Sequence, residues 1–490
     1  MRGKLVFLLI LGMLVGLVYL VGTRTRDAHV MPKPRPEEVR EAAAPVASVP
    51  SASASTDASS APGDASTAAD AKAPRLDRPL RLVASTWEQA AAALVANGGK
   101  TPADGSATRA EGLDLRVDVG STDQDIDNRL ARGGGDPDGA DVAVMPLPTF
   151  VASYERIRAL EPQIVHIVGW SRGRVVLLGA RDGMLAKPGA GAGDVTVVSV
   201  DPSATVLALF ALDAAGTPPA RVHLVADSKT ATLAALVRPL SPDRPADAPS
   251  RVLLTTAEAT RLVPLVAVAA RGFVEGHPAA VTALLRAWDK GATELHKDVP
   301  AAARRIATEP GAPEPATMLE RLGWMSDEGR ADEGLALGLL GSDAITVGDA
   351  PVTVGALFAR DWQLLRDAGV LTSPTPQPPP VDTSPFAHAF PTVTAAPPPA
   401  VVAPPGAGAR VRLARRFAKG DAAAVASLIA SLAGVFDRSV VRVTSKPPAL
   451  AKDAADAAMA HRRLPAERIV VVPTALGDTG VALVEVLAAP

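Results

Sequence analysis

Three apolar runs in the first half of the chain end in hydroxyl residues and pass into helix-compatible stretches, and no other pattern limits the fold as much. Residues 81–84 lead into Ser85-Thr86-Trp87, residues 113–119 into Gly120-Ser121-Thr122-Asp123, and residues 195–200 into Asp201-Pro202-Ser203-Ala204-Thr205. Short strands that feed directly into helices build a sheet covered by helices. A hydroxyl at a helix start satisfies backbone N–H groups that lack an intrahelical partner, and those groups together with the helix dipole attract anions. In an open α/β sheet such turns lie at the carboxyl ends of strands, where ligands bind. Each turn alone is an ordinary N-cap; three on one body point to a small-ligand receptor.

The alternation continues along residues 76–371. An Ala-rich helix over 88–96 stops at Asn97-Gly98-Gly99, and a second over 125–132 closes on three glycines. Residues 140–146 read as a buried parallel strand with a helix over 150–160 behind it, and 164–168 and 175–178 as further strands. After a glycine-rich break near 183–193 a second series begins: strand 195–200, helix 205–215, strand 222–226, helix 229–237, strands 251–254 and 262–270. This order predicts a mainly parallel α/β architecture in two lobes with a hinge and a cleft between them. From 279 to 371 the pattern is helical.

Composition sets the remaining bounds. Hydrophobic residues make up 48% but aromatic residues only 3%, so alanine and valine supply much of the packing. The net charge of −2 offers no basic field for nucleic acid. The absence of cysteine excludes disulfides, thiolate metal sites and cysteine nucleophiles. Arg2 and Lys4 precede an uncharged run over residues 5–22, close to the roughly 20 residues a spanning helix needs. Thr23-Arg24-Thr25-Arg26-Asp27 follows without a small-residue cleavage motif, so residues 1–30 are expected to be a signal anchor, with a removed signal peptide as the alternative. Either way the body is extracytoplasmic, tethered to the inner membrane in the first case. Residues 31–75, rich in Ala, Ser, Pro and Asp, read as a disordered spacer.

A second spacer is expected over residues 372–408, where Pro376-Gln377-Pro378-Pro379-Pro380 and Pro397-Pro398-Pro399 favour an extended arm over packed structure. Phe386-Ala387-His388-Ala389-Phe390 inside it reads as a patch within a linker or as a short docking motif. Residues 409–490 form a small α+β domain: strand 411–413, helix 422–436, strand 440–444, helix 450–463, strands 469–472 and 481–487.

Some of these segments carry a family resemblance. Val252-Leu253-Leu254-Thr255-Thr256-Ala257-Glu258, then Val266 to Phe273, then His277-Pro278-Ala279-Ala280-Val281 and a helix with Leu284-Leu285-Arg286-Ala287-Trp288, resemble the periplasmic solute-binding proteins of ABC importers. The group is the one that handles aliphatic sulfonates, taurine and nitrate, together with thiamine-precursor receptors. Leu113 to Ser121 followed by Ala140-Asp141-Val142-Ala143 matches a second segment of that family. The resemblance implies a two-lobed type II periplasmic-binding-protein fold that clamps a small molecule and presents it to a membrane permease, with no cofactor. It places the ligand turns on Ser85, Thr86 and Trp87, on Ser121 and Thr122, at Pro146 and Leu147, on Ser203 and Thr205, and near the crossover at Ser171 and Arg172, where Arg172 or Arg174 could pair with an anionic head group; solvated loop arginines are the plainer reading. Glu88-Gln89 departs from the family after the first turn, and a carboxylate there disfavours a sulfonate.

The last domain resembles an OmpA-type peptidoglycan-binding domain in degenerate form, through Leu450 to Ala455 and Leu464 to Ile469. The clamp such domains use is missing: Val443-Thr444-Ser445-Lys446 has no aspartate, and Ala454 stands at the arginine position. An α+β domain without secure peptidoglycan binding follows. The alternative function is a non-transport envelope scaffold or sensor that keeps the binding-protein fold. An enzyme is not expected. The seven histidines are scattered without metal-type spacing or a base–nucleophile pair, and the relatives that make the thiamine pyrimidine depend on a cysteine-rich motif absent here. Asp123, Asp125 and Asp127 lack the glycine and glutamate of an EF-hand loop and read as an acidic helix start.

Overall fold

The computed structural model describes residues 76–120, 122–186, 193–227, 231–240, 249–326, 329–339, 353–392, 409–417, 421–462, 466–472 and 481–488. The expected anchor and spacer over 1–75 lie outside the described residues, and no helix among the described residues is long and apolar enough to cross a membrane.

The first lobe begins with β1 (Leu80–Ala84), α1 (Trp87–Asn97), β2 (Leu115–Val119), α2 (Asp123–Arg132), β3 (Val142–Pro146) and α3 (Leu147–Ile157). Strand β1 lies between β2 and β3 and is parallel to both. The chain then forms β4 (Gln163–Ser171) and crosses to the second lobe as β5 (Val175–Gly179). There it builds β6 (Val195–Val198), α4 (Pro202–Ala214), β7 (Val222–Val225), β8 (Leu233–Val237) and β9 (Arg251–Thr255) before returning as β10 (Pro264–Ala269). With β11 (Met325–Ser326), the first sheet has the order β11-β4-β10-β3-β1-β2, and the second β7-β6-β8-β5-β9. The two-lobed α/β architecture implied by the resemblance is present, but both sheets are mixed rather than mainly parallel. The reason is the crossing itself: β5 and β10, the strands by which the chain enters each lobe, run against both their neighbours.

Residues 233–237 are a strand, not the end of a helix over 229–237. They are parallel to β6 on one side and antiparallel to β5 on the other, and pairing on both edges overrides the helix preference of their alanines.

Alanine packing replaces aromatic packing where helices meet. Helix α5 (Pro278–Lys297) crosses α1 at Gly291, where an added Cβ would stand 2.1 Å from the Ala92 carbonyl oxygen, so only glycine permits this approach. Helices α6 (Pro315–Leu322), α7 (Arg330–Leu337) and α8 (Val354–Asp367) follow.

The proline-rich stretch is not an unpacked arm over its first part. Residues 372–392 lie on the first lobe: Ile164 N donates to Pro380 O at 2.8 Å and Asp382 N to Ile164 O at 2.9 Å, so this segment covers the edge of β4. Helix α9 (Ser384–Ala389) buries Phe386, whose ring meets Phe390 at 5.0 Å. Prolines preset the extended backbone that an edge-covering segment needs, and the two phenylalanines supply its anchor. Residues 393–408 lie outside the described residues.

The C-terminal domain consists of β12 (Arg410–Phe417), α10 (Ala422–Val435), β13 (Val440–Lys446), α11 (Pro448–Arg462), β14 (Ile469–Val472) and β15 (Val481–Ala488), in the sheet order β12-β15-β13-β14. Its α+β order is the expected one, yet it sits directly on the second lobe rather than apart. Ala414 N donates to Leu185 O at 2.9 Å, Arg412 pairs with Glu258 at 2.7 Å, and Phe210 meets Phe436 at 6.2 Å. Asp437 accepts from Thr260 and from Arg261, the latter at 3.1 Å.

Two outcomes are expected. Asp437→Ala removes both of those bonds and should cost about 1–3 kcal/mol of unfolding free energy in denaturant titration. The second concerns Asp361, fully buried on α8 with the Arg360 guanidinium 3.5 Å away. Burial pushes its carboxyl up to about 7, and Arg360 offsets only part of the rise. Because its folded pKa lies above its unfolded one, the folded state holds the extra proton, and that stability is lost as pH rises through about 7. Asp361→Asn should therefore raise the melting temperature more at pH 8 than at pH 5.

Candidate functional site

A cavity of about 210 Å³ opens where the carboxyl ends of β1 and β3 face the amino end of α4 across the two crossing segments. The first lobe lines it with Ser85, Thr86, Gln89, Asp123, Pro146 and Thr149, the second with Asp201, Ser203 and Val237. Ser171, Arg174, Val175, Val263 and Leu265 close it from the crossings.

The three hydroxyl turns play different parts. Thr86 is the N-cap of α1 but makes no side-chain cap bond; its Oγ1 accepts from Arg174 Nη1 at 3.2 Å. Thr122 caps α2 by accepting from Asp125 N, and Asp123 in that first turn faces the cavity. In the third turn the cap is Asp201, which accepts from Ala204 N at 2.9 Å with Pro202 at the first helical position. That leaves Ser203 Oγ, 2% exposed, without a hydrogen-bond partner.

Of the sequence candidates, Ser85, Thr86, Pro146, Ser171 and Ser203 line this cavity and Trp87, Thr122, Arg172 and Thr205 do not; Ser121 lies outside the described residues. Trp87 packs into the first lobe's core with the Lys100 ammonium 4.8 Å over its ring. Thr205 bonds Ser199 Oγ at 2.9 Å. The backbone N–H of Arg172 donates to Trp324 O at 2.6 Å and its Nε to Ser326 Oγ at 2.9 Å, which turns it away from the cleft. Arg174 faces the cavity instead, because Gly173 between them adopts φ of 93°, a conformation that favours glycine. Neither arginine is a solvated loop residue. Arg174, one of the two arginines considered for an anionic head group, is the one at the site; Gln89, Asp123, Thr149 and Asp201 join it without having been singled out as binding residues, and Gln89 follows Thr86 by three residues, the spacing that puts both on one helix face.

Charge in the cleft is dense and desolvated. Arg174 pairs with Glu88, which is 2% exposed and lies behind the cavity wall on α1. Burial lowers the Arg174 guanidinium to about 10, with Asp201 pulling it up and Arg321 pushing it down. Burial likewise raises the Asp201 carboxyl, against the pull of the Ala204 and Ser203 N–H groups and of Arg174. Asp123 is raised by burial first, then by Asp201 and Asp127, while Arg156 lowers it. Arg156 is itself bound to Asp127 at 2.7 Å.

The crossings are joined by one side chain. Thr256 Oγ1 meets Ser171 Oγ at 2.9 Å and accepts from Gly173 N at 2.9 Å and Val175 N at 3.3 Å. Among the described residues no group of three or more His, Cys, Asp or Glu could hold a metal ion.

No family model matches the chain, and none of the curated proteins does. Solved structures do resemble it. A ligand-binding component of an ABC-type import system from Staphylococcus aureus, with zinc bound, is 11% identical over 64% of this chain and 99% of its own, at a TM-score of 0.43. The periplasmic aliphatic sulphonate binding protein of Escherichia coli is 12% identical over 61% of this chain and 89% of its own, at 0.41. A desulfurization enzyme is 13% identical over 64% and 99%, at 0.37. Scores this low decide neither ligand nor activity, which rest on the residues of the cleft.

The Glu88–Arg174 pair gives a direct test. Glu88→Ala strands a buried guanidinium and should lower stability by about 3–5 kcal/mol in chemical denaturation, whereas Glu88→Leu combined with Arg174→Leu should recover most of that loss.

Proposed function

We propose that this chain is an extracytoplasmic solute receptor, held at the inner membrane by its N-terminal segment, that closes on a small molecule and presents the closed form to the permease of an ABC-type importer. The observation that carries the reading is the cavity lined from both lobes, with a hydroxyl and a carboxylate on each side of two crossing segments and an amide, Gln89, on the first. A clamp responds to a ligand only to the extent that the ligand binds the closed form better than the open one, which requires contacts from both lobes. Ser85, Thr86, Gln89 and Asp123 would supply one jaw, and Asp201 and Ser203 the other. No cofactor is needed and no catalytic role is assigned. The family resemblance brings sulfonate, nitrate and thiamine-precursor solutes into view.

The C-terminal domain enters this reading as an OmpA-type fold without its peptidoglycan clamp. Ala454, at the position of the clamp arginine, is fully buried in the domain core, where a guanidinium has no room. Its docking through Asp437 onto the return crossing favours a second reading, a scaffold or sensor of the envelope in which the receptor fold relays a partner contact.

Equilibrium dialysis of the full-length chain in detergent against a small-molecule extract, with mass spectrometry of the retained compounds, separates the two. A receptor retains one saturable compound and loses it in Ser203→Ala. At 100 times its dissociation constant that compound should stabilise the fold by about 2.7 kcal/mol. If no compound is enriched over buffer, the scaffold reading replaces the receptor.

A further inference from the structure

The charges around the cleft do not cancel. Asp123, Asp201 and Arg174 line it, and Glu88, Asp127, Arg156 and Arg321 pair with or act on these or on one another, which sets four carboxylates against three guanidinium groups. Arg174 is already paired with Glu88 and Arg156 with Asp127. Arg321, on α6, acts on Arg174 but does not line the cavity. The charged groups that face the space are Asp123 from the first lobe, Asp201 from the second and Arg174, already paired with Glu88, from the outward crossing; Asp201 is close enough to Asp123 to raise it.

A second, independent observation concerns hydrogen bonding. Gln89 Oε1 and Ser203 Oγ also line the cavity, are 1% and 2% exposed as residues, and have no partner. A buried acceptor left unmade costs free energy, so a ligand that donates to it gains more than one that merely fills space. The lobes thus offer matched sets, Gln89 with Asp123 and Ser203 with Asp201.

We propose that the cleft takes a small organic monocation bearing N–H donors, a primary ammonium, amidinium or guanidinium, held by Asp123 and Gln89 from the first lobe and Asp201 and Ser203 from the second. This rests on the receptor reading above and departs from the anionic solutes that the family resemblance brings forward. With four carboxylates against three guanidinium groups, one positive charge completes the balance, and a sulfonate or nitrate would add to the excess. A bare metal ion fits poorly, since two carboxylates with a hydroxyl and an amide from separate jaws form no metal-type cluster. The raised carboxyls fit the same picture: burial works against both charges, and a bound cation would favour their charged form.

The test is thermal unfolding of the full-length chain with five probes: ethanolamine, methylguanidine, choline, nitrate and methanesulfonate. Ethanolamine and choline share a skeleton, and only the first carries N–H donors. The expected result is a saturable shift with ethanolamine or methylguanidine, at least tenfold weaker with choline, none with the anions, and weaker as pH falls from 7 to 4.5. Asp123→Asn and Asp201→Asn should each lower the affinity at least tenfold. Asparagine still caps α4, so the melting temperature without ligand should hold or rise.

Binding of nitrate or methanesulfonate overturns the charge assignment and leaves the receptor reading standing. Choline equal to ethanolamine, or cation binding indifferent to both variants, overturns the assignment to these four residues. No shift with any probe, together with nothing retained in the dialysis of an extract, overturns the receptor reading and this inference with it.

Discussion

The placement of the cleft depends on how two short crossing segments are held together, and one hydroxyl makes three of the bonds between them. Thr256, on the return crossing, bonds Ser171, Gly173 and Val175 on the outward one. These bonds fix where β4 ends and β5 begins, and therefore the side of the chain on which Arg174 emerges. Thr256 is fully buried, so its bonds are shielded from competing water. Among the described residues the strands pass between the lobes twice, from β4 to β5 and from β9 to β10. A joint of this kind permits rotation of one lobe against the other about a few backbone dihedrals while keeping the cleft's floor in register.

The cleft stores unfavourable electrostatics on that floor. Burial works against each of Arg174, Asp201 and Asp123, and Asp201 further opposes Asp123. A fold optimised only for stability would replace such groups with apolar ones of similar volume. Their presence in a cavity, beside unpartnered oxygens on Ser85, Gln89 and Ser203, is the pattern of groups kept for something that comes and goes. The same argument separates them from Asp361, which is desolvated too but fully buried on α8 and does not line this cavity.

How much of this could be read from residues alone follows from which interactions are local. The strand–hydroxyl–helix turns were legible because capping is a matter of neighbouring residues, and Ser85, Thr86 and Ser203 do face the cavity. The choice between Arg172 and Arg174 was not, because it turns on a left-handed Gly173 whose conformation is set by Thr256, far away in sequence. Asp201 stands in the third turn, but that it caps α4 and that its carboxylate faces a carboxylate from the other lobe need the fold. Strand β8 escaped because its alanines favour helix and only pairing on both edges makes them strand. Residues 372–392 read as spacer because proline counts predict extended backbone correctly but say nothing of what that backbone lies against.

The docked C-terminal domain changes what lobe motion can mean here. Its contacts reach the second lobe at Leu185, Asp213 and Glu258 and the return crossing at Thr260 and Arg261. Arg261 in turn lies 5.0 Å over Trp170, the fully buried residue next to the outward crossing. A domain bonded both to a lobe and to the joint must move with that lobe, and whatever displaces it acts on the crossing that carries Thr256. Ligand closure and any contact made by the C-terminal domain therefore share one mechanical element. Energetic coupling between the two is reciprocal by thermodynamic necessity: if closing the cleft shifts the domain's grip on residues 260–261, pulling on the domain shifts the cleft's affinity by the same factor.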